Sequence, residues 1–185
     1  MKLISKEKPL FIRSIREDDL NILFNISYGK NADLQWRATN GPYFNDPILD
    51  KESFFKQYYK NAISSDHRGV IVFEDEIVGE MFAYWMDKEL KQWCEFGILI
   101  YSTNNVSKGI GTTACHLWMD YLFTLYSHIQ RVGFTTWSKN HAMIRVGEKC
   151  SMKQEACIRK VRFYQGEYYD SIKYGILRDE FYRSK

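Results

Sequence analysis

Proline is scarce in this sequence. There are 3 in 185 residues, Pro9, Pro42 and Pro47, all within the first 47 positions. Everything after Pro47 can therefore run as regular structure, while Gly41-Pro42 and Asp46-Pro47 bracket a loop. Cysteine is sparse as well. Cys94, Cys115, Cys150 and Cys157 form no C-x-x-C pair and show no ligand spacing, so they read as small core residues and no metal is expected. No apolar run approaches the ~20 residues of a membrane span. The start, MKLISKEKPLF, lacks the apolar segment of a signal peptide. Charge imbalance is missing too: 26 basic against 23 acidic side chains leave +3, which argues against a nucleic-acid partner. The natural reading is a reduced, soluble, cytoplasmic protein without nucleic-acid or membrane partners. Its length fits one domain over residues 1–185, and no repeat or low-complexity linker divides it.

What the chain has in surplus is rings. Five Trp, 13 Tyr and 12 Phe make 16% of the residues, enough for a core and for the walls of a cavity. The hydrophobic pattern alternates between periods. LFIRSI (10–15) reads as a strand and is followed by the acidic helix start Glu17-Asp18-Asp19, with Leu20, Leu23 and Phe24 at helical spacing. A second helix is expected from Asp50 to about Ile63. GVIVFEDEIVGEMFAYW (69–85) reads as two strands joined at Glu74-Asp75-Glu76, and WCEFGILI (93–100) as a buried central strand. From Gly109 the period becomes helical through Ile110, Ala114, Leu117, Tyr121 and Leu125, supported by Trp118 and Leu122. IQRVGFTTW (129–137) returns to strand, a short helix spans Asn140 to Cys150, and two long strands meet near Gly166. The order is β-α-α-β-β-β-α-β-α-β-β, an α/β (α+β) fold whose mixed, mostly antiparallel sheet has about seven strands and about four helices.

Glu95 is the one charge in an otherwise apolar or small strand. A carboxylate buried there without a partner costs about 3–5 kcal/mol. Either it is paired or at a wet strand end, or it sits in a pocket that raises its proton affinity, as a general base near neutral pH requires. The polar loop YSTNNVSKGIGTTA (101–114) follows and runs into the amphipathic helix. Gly109 and Gly111 allow close backbone approach, and a helix start presents unpaired N–H groups to a phosphate. Lys108 precedes the glycine, so this is no triphosphate P-loop, and the third glycine of a dinucleotide fingerprint is missing.

Strand, glutamate, polar loop, K-G-I-G-T and helix together resemble the acetyl-CoA-binding core of the GNAT N-acetyltransferases. That family's loop is usually written [RQ]-x-x-G-x-[GA]. Glu95 precedes Gly109 by 14 residues and Gly111 by 16, the family's spacing from catalytic glutamate to loop. NHAMIRVGEK (140–149) is similar to the family's N-x-x-[AM]-I-R-x-x-E-K stretch. RKVRFYQGEYYDSIKYGILRDEF (159–181) resembles the closing hairpin of the ribosomal-protein N-terminal acetyltransferase branch (RimJ/RimL-like).

The resemblance implies an acetyl-CoA-dependent enzyme acting on a primary amine, a protein N-terminus or a small molecule such as a polyamine or an antibiotic. A catalytically weak acyl-CoA-binding or sensor module is the alternative. Pantetheine would lie against the backbone of Ile98, Leu99 and Ile100, and the pyrophosphate on Ser107, Lys108, Gly109, Ile110, Gly111 and Thr112. Asn140 would contact the pantetheine or the reacting end. Glu95 would take the ammonium proton through a water, and a backbone N–H near Leu99 would hold the oxyanion. The loop WRATNGPYFNDP (36–47) lies where this branch builds its acceptor wall, so Trp36, Tyr43 and Phe44 are candidate substrate residues. The same rings can equally cap a loop packed on the domain. Homodimers are common in the family.

Two positions depart from the pattern. Val106 replaces the loop's Arg/Gln, and Gly147 stands where many members place the Tyr that protonates the departing thiolate. Ser138, Tyr43 or a hairpin tyrosine are substitutes for that acid, or the thiolate leaves unassisted. Tyr164, Tyr168 and Tyr169 are further candidates for the cleft wall. His116 reads as a boundary residue and His141 as a neighbour of Asn140. Arg159, Lys160 and Arg162 read as a solvated basic face.

Overall fold

Alternating and continuous apolar runs become one sheet in the computed structural model, which describes residues 1–105 and 107–183. The strands are β1 (Lys2–Ile4), β2 (Leu10–Ser14), β3 (Arg68–Phe73), β4 (Glu76–Trp85), β5 (Cys94–Ile100), β6 (Arg131–Trp137), β7 (Lys153–Tyr164) and β8 (Glu167–Leu177). Their order is β1-β2-β3-β4-β5-β6-β8-β7. Every neighbouring pair is antiparallel except β5 with β6. The helices are α1 (Asp19–Ser27), α2 (Lys51–Asn61), α3 (Ile110–Leu125), α4 (His141–Lys149) and α5 (Arg178–Arg183).

The local chemistry explains the elements. Asp50 caps α2 by accepting the Ser53 N–H at 2.8 Å, and Asn140 caps α4 by accepting the Met143 N–H at 3.1 Å. Glu74 and Asp75 both adopt positive φ, 51° and 65°, as a tight hairpin between β3 and β4 requires. Two apolar layers sandwich the sheet. On one face α3 buries Ala114, Cys115, Trp118, Met119 and Leu122 against Leu10, Ile71, Phe96 and Phe134. On the other, Leu20 and Leu23 of α1 and Phe54 and Tyr58 of α2 pack on Val70, Val72 and Tyr101.

The fold class is as expected, with corrections of detail. The sheet has eight strands rather than seven, because the three-residue β1 adds an edge to β2, and five α-helices rather than four, because RDEFYR after β8 forms α5. Both are too short for periodicity to register. The buried stripe of α3 lies slightly round the helix from the expected one, leaving Leu125 exposed. Cys94, Cys115 and Cys150 are buried, but Cys157 is exposed on β7. Among the described residues, no helix is long and apolar enough to cross a membrane.

One feature of the sheet positions everything below. The parallel pairing of β5 with β6 consists of Cys94↔Val132 and Glu95↔Gly133, whereas β4 stays paired with β5 from Trp85↔Cys94 to Gly79↔Ile100. From Phe96 onward β5 and β6 diverge, and the middle of the sheet opens.

Candidate active site

The opening is lined by Phe96 to Ile100 of β5 on one side and by Phe134 to Trp137 of β6 on the other, with Asn140 and Met143 of α4 at its edge. The cavity measures about 320 Å³. Its outer wall comes from the 36–47 loop and includes Trp36, Tyr43, Phe44 and Asp46. A second hollow of about 250 Å³ adjoins it and shares Trp36, Asn40, Gly41 and Asp46.

The direction of the β5 backbone follows from its ladder. Tyr101 N–H donates to Val78 O at 3.0 Å and Met86 N–H to Trp93 O at 2.9 Å. In an antiparallel pair, hydrogen-bonded and non-bonded positions alternate. Both ends therefore place Leu99 and Gly97 among the residues facing β4, and leave the N–H and C=O groups of Phe96, Ile98 and Ile100 facing the opening. Leu99 still lines the cavity, but its own N–H points toward β4. Gly97 is required by packing: a Cβ there would meet the Phe82 ring at 2.2 Å.

Glu95, at the last paired position, is fully buried. Thr135 Oγ1 donates to its Oε2 at 2.7 Å and Tyr84 OH donates to the same oxygen at 3.4 Å. Lys173 Nζ donates to Oε1 at 3.0 Å and to Thr135 Oγ1 at 2.8 Å. The carboxylate is paired, and two of its partners also line the cavity. Glu95 stands behind the cavity wall, and the wall residues that touch it are Tyr84 and Thr135. Burial first, and the Glu95 charge second, push the Tyr84 hydroxyl well above its ordinary value.

The start of α3 lies beyond the far end of β5. Gly109 takes φ +77°, and no side chain caps the helix. The N–H groups of Ile110, Gly111 and Thr112 consequently lack intrahelical acceptors, an arrangement that fits a phosphate. Ser107 and Lys108 lie exposed just before it, while the Ile110 side chain is buried in the core. A Cβ on Gly111 would come within 3.3 Å of Val146, so α4 closes on the glycine. Lys8 reaches the loop from the β1–β2 connection and donates to Lys108 O at 3.1 Å. It brings a second cation beside Lys108, just before the start of α3. Val106, the departure from the loop pattern, lies outside the described residues.

The loop side of the cavity is a set of rings held from behind. Trp36 Nε1 donates to Ser27 O at 3.2 Å, and its ring meets Tyr101 edge-on at 5.3 Å. Tyr43 packs on Trp137 at 5.6 Å and on Phe44 at 4.7 Å. Arg162 from β7 lies over both Tyr43, at 4.7 Å, and Phe44, at 5.4 Å. The basic cluster is thus not wholly a solvated face, since one of its members braces this wall. Asn140 lines the cavity with its side chain bound on both sides: beyond its cap on α4, Nδ2 donates to Thr39 O at 3.2 Å.

The remaining candidates separate. Gly147 is buried, and a Cβ there would meet Phe134 Cζ and Tyr174 Cδ1, each at 2.9 Å. A side chain at that position would have to displace those two rings. Tyr43 lines the cavity, Tyr164 lines the adjoining hollow and Tyr169 packs on Trp137, but Tyr168 points away at 63% exposure. His141 is exposed outside the cavity lining, and His116 sits at the boundary, 4.9 Å from the Phe181 ring. Burial raises the Cys94 and Cys150 thiols up to about 12 and Cys115 well above its ordinary value, which disfavours a thiolate nucleophile at those three positions. Sequence reasoning missed Tyr84, Thr135, Lys173, Lys8 and Arg162. Lys173 carried a usable signal, because it is the lone charge in SIKYGIL (171–177), as Glu95 is in its strand.

The acetyltransferase (GNAT) domain family matches residues 10–153. A prophage SPbeta-derived uncharacterized N-acetyltransferase of Bacillus subtilis, YokL, is 41% identical over 59 residues, 32% of this chain and 33% of that protein. The matched segment therefore spans about a third of that relative. A GNAT-family acetyltransferase from Bacillus anthracis superposes with a TM-score of 0.77 at 20% identity, covering 97% of this chain and 100% of that one. A spermidine N-acetyltransferase from Vibrio cholerae, solved in complex with CoA and spermine, gives 0.73 at 20% identity over 94% and 98%. At such identity the superpositions speak for the fold alone, and the family match carries the assignment: with most of its length inside that domain, this chain belongs to the GNAT acetyltransferase family.

Proposed function

We propose that the chain, acting as one domain, transfers acetyl from acetyl-CoA to a primary amine by direct attack in a ternary complex, with Glu95 as general base. The observation that carries this reading is the parting of β5 and β6 immediately after Glu95. It leaves the backbone of Ile98 and Ile100 available to an extended pantetheine arm, in the manner of an added strand. The pyrophosphate lies on the uncapped start of α3 at Lys108 to Thr112, with Ser107 and Lys8 beside it. Ile98 and Ile100, rather than Leu99, supply the N–H for the tetrahedral oxyanion. Donors of this kind are worth about 3–4 kcal/mol each where measured. Tyr43 serves as acid for the departing thiolate: it lines the cavity, and burial keeps its hydroxyl protonated at neutral pH.

Two kinds of acceptor are compatible with this chemistry. The ribosomal-protein branch points to a protein N-terminus, and the spermidine acetyltransferase of similar fold to a polyamine. Asp46 is the single carboxylate among the residues lining either cavity, against eight aromatic rings in the larger one. A polycation gains most from several carboxylates. The lining therefore favours an acceptor with one amine beside apolar or aromatic groups.

The second reading, an acyl-CoA-binding module of weak activity, is favoured by Gly147, where no side chain can supply the usual acid. Thiol release from acetyl-CoA with a panel of amines separates the two. Turnover of at least one amine, slowed in Glu95→Gln, is expected. Tight CoA binding with no amine turned over would establish the module instead. A Glu95→Gln variant as fast as wild type near pH 7 would remove Glu95 as base and leave the family assignment intact.

A further inference from the structure

Glu95 is fully buried, so a proton from the cavity needs an intermediary in the wall. Resting on the reading of Glu95 as base, we propose that the Tyr84 hydroxyl is that intermediary and relays the acceptor's proton to Glu95. An N–H bond of the acceptor ammonium breaks, and its proton bonds to the Tyr84 oxygen. The Tyr84 O–H bond breaks in the same step, and that proton bonds to Glu95 Oε2. A neutral amine, an intact phenol and a protonated carboxyl result, with no other reactant required.

The geometry favours Tyr84 over Thr135, the other wall residue touching Glu95. The Thr135 oxygen already accepts the Lys173 ammonium at 2.8 Å, which leaves less room for a second donor. An ammonium approaching Thr135 would also meet the Lys173 ammonium, a like charge at close range. Tyr84 has neither obstacle. Its hydroxyl points its proton at Glu95 Oε2, and among the described residues no group donates to its oxygen. The residue is 38% exposed, its ring stacks on Phe82 at 6.3 Å, and it belongs to the cavity wall. With its own ionisation pushed up by burial and by Glu95, it stays a phenol at neutral pH and can pass a proton without storing a charge. The 3.4 Å separation is longer than an ordinary O–H···O bond, and catalytic hydrogen bonds commonly tighten only when substrate is bound.

The test is a double-mutant cycle on the full chain with the best acceptor from a panel of spermidine, phenethylamine and a short peptide with a free N-terminus. Tyr84→Phe keeps the ring stack and removes only the hydroxyl. It is expected to lower kcat by about 100-fold, the usual range for a general acid–base group, with KM for acetyl-CoA and the far-UV spectrum unchanged. Glu95→Gln is expected to fall similarly, and the double variant no further than the slower single, because one path has been cut twice. The relay is overturned if Tyr84→Phe retains wild-type kcat while Glu95→Gln loses it, or if the two losses multiply; in either case Glu95 remains the base. A wild-type rate in Glu95→Gln removes the base itself. Failure to acetylate any amine in the panel removes the relay together with the reading beneath it.

Discussion

Lys173 Nζ lies 3.0 Å from Oε1 of Glu95, joining β8 to β5 across β6. The carboxylate is wholly buried and the lysine side chain only 17% exposed. Removing one partner of such a pair strands a charge in a medium that cannot solvate it, at a cost of roughly 3–5 kcal/mol. Tyr84 from β4, Thr135 from β6 and Lys173 from β8 face the carboxylate, with the Cys94 thiol adjoining it in the chain. Lys173 alone of these brings a positive charge into contact. Lys173→Met should therefore lower the urea midpoint and slow turnover of the amine, because the buried carboxylate loses its ion pair. Lys173→Arg should restore most of both. An unchanged midpoint and rate in Lys173→Met would show that the pair contributes nothing to either.

Restoring the family's tyrosine should fail. A Cβ on Gly147 would stand 2.9 Å from both Phe134 and Tyr174, whose rings stack 5.4 Å apart. Overfilling a packed site costs typically about 1–3 kcal/mol. Gly147→Tyr should lower the thermal midpoint and leave kcat no higher than wild type. A gain in kcat with unchanged stability would mean that the rings yield.

Arg162 spans Tyr43 and Phe44, so if that side of the cavity holds the amine, Arg162→Ala should loosen it and leave the glycine loop alone. Cation–π contacts contribute about 0.5–2 kcal/mol each. KM for the amine should rise several-fold while KM for acetyl-CoA stays constant. Equal increases in both would place the effect elsewhere.

Stability should decline on the alkaline side. Burial is the first cause that raises Tyr58, Tyr101, Cys94, Cys115 and Cys150, and the Glu80 charge is the second for the two tyrosines. The ordinary values are 10.0 for the tyrosines and 9.0 for the thiols. Above those values the unfolded chain loses protons that the folded chain keeps, so deprotonation pulls toward unfolding. The contribution is complete below pH about 9 and is lost as pH rises toward and through the raised values. Urea midpoints should fall between about pH 8 and about pH 10.5; a flat series would contradict the burial of these protons.

Much of this arrangement can be read from the residues in order. Strand β5 with its lone Glu95, the loop to Gly109, and the α3 helix follow from a period that changes from strand to helix. Asn140 also signals α4 by capping it. The partners of Glu95 were out of reach, because Tyr84, Thr135 and Lys173 come from three strands and meet only through sheet order. A parallel β5–β6 contact with an intervening helix cannot be read from either strand alone. Lys8 is further still from its partner, 100 residues before Lys108. The inward-facing side of β5 likewise becomes known only when its register with β4 is known, which turns the Leu99 N–H toward β4 and the Ile98 N–H toward the opening.

The parted strands also have a mechanical consequence. After Glu95 the sheet has two inner edges, with β1 to β5 on one side and β6 to β8 on the other, joined by two residue pairs and the layers above and below. Unpaired strand edges invite any extended chain to complete them. An acyl donor lying in that gap would act as a temporary ninth strand. CoA should then raise the thermal midpoint and slow amide exchange along β5 and β6 together, so that the co-substrate closes the sheet on each turnover and its departure opens it again.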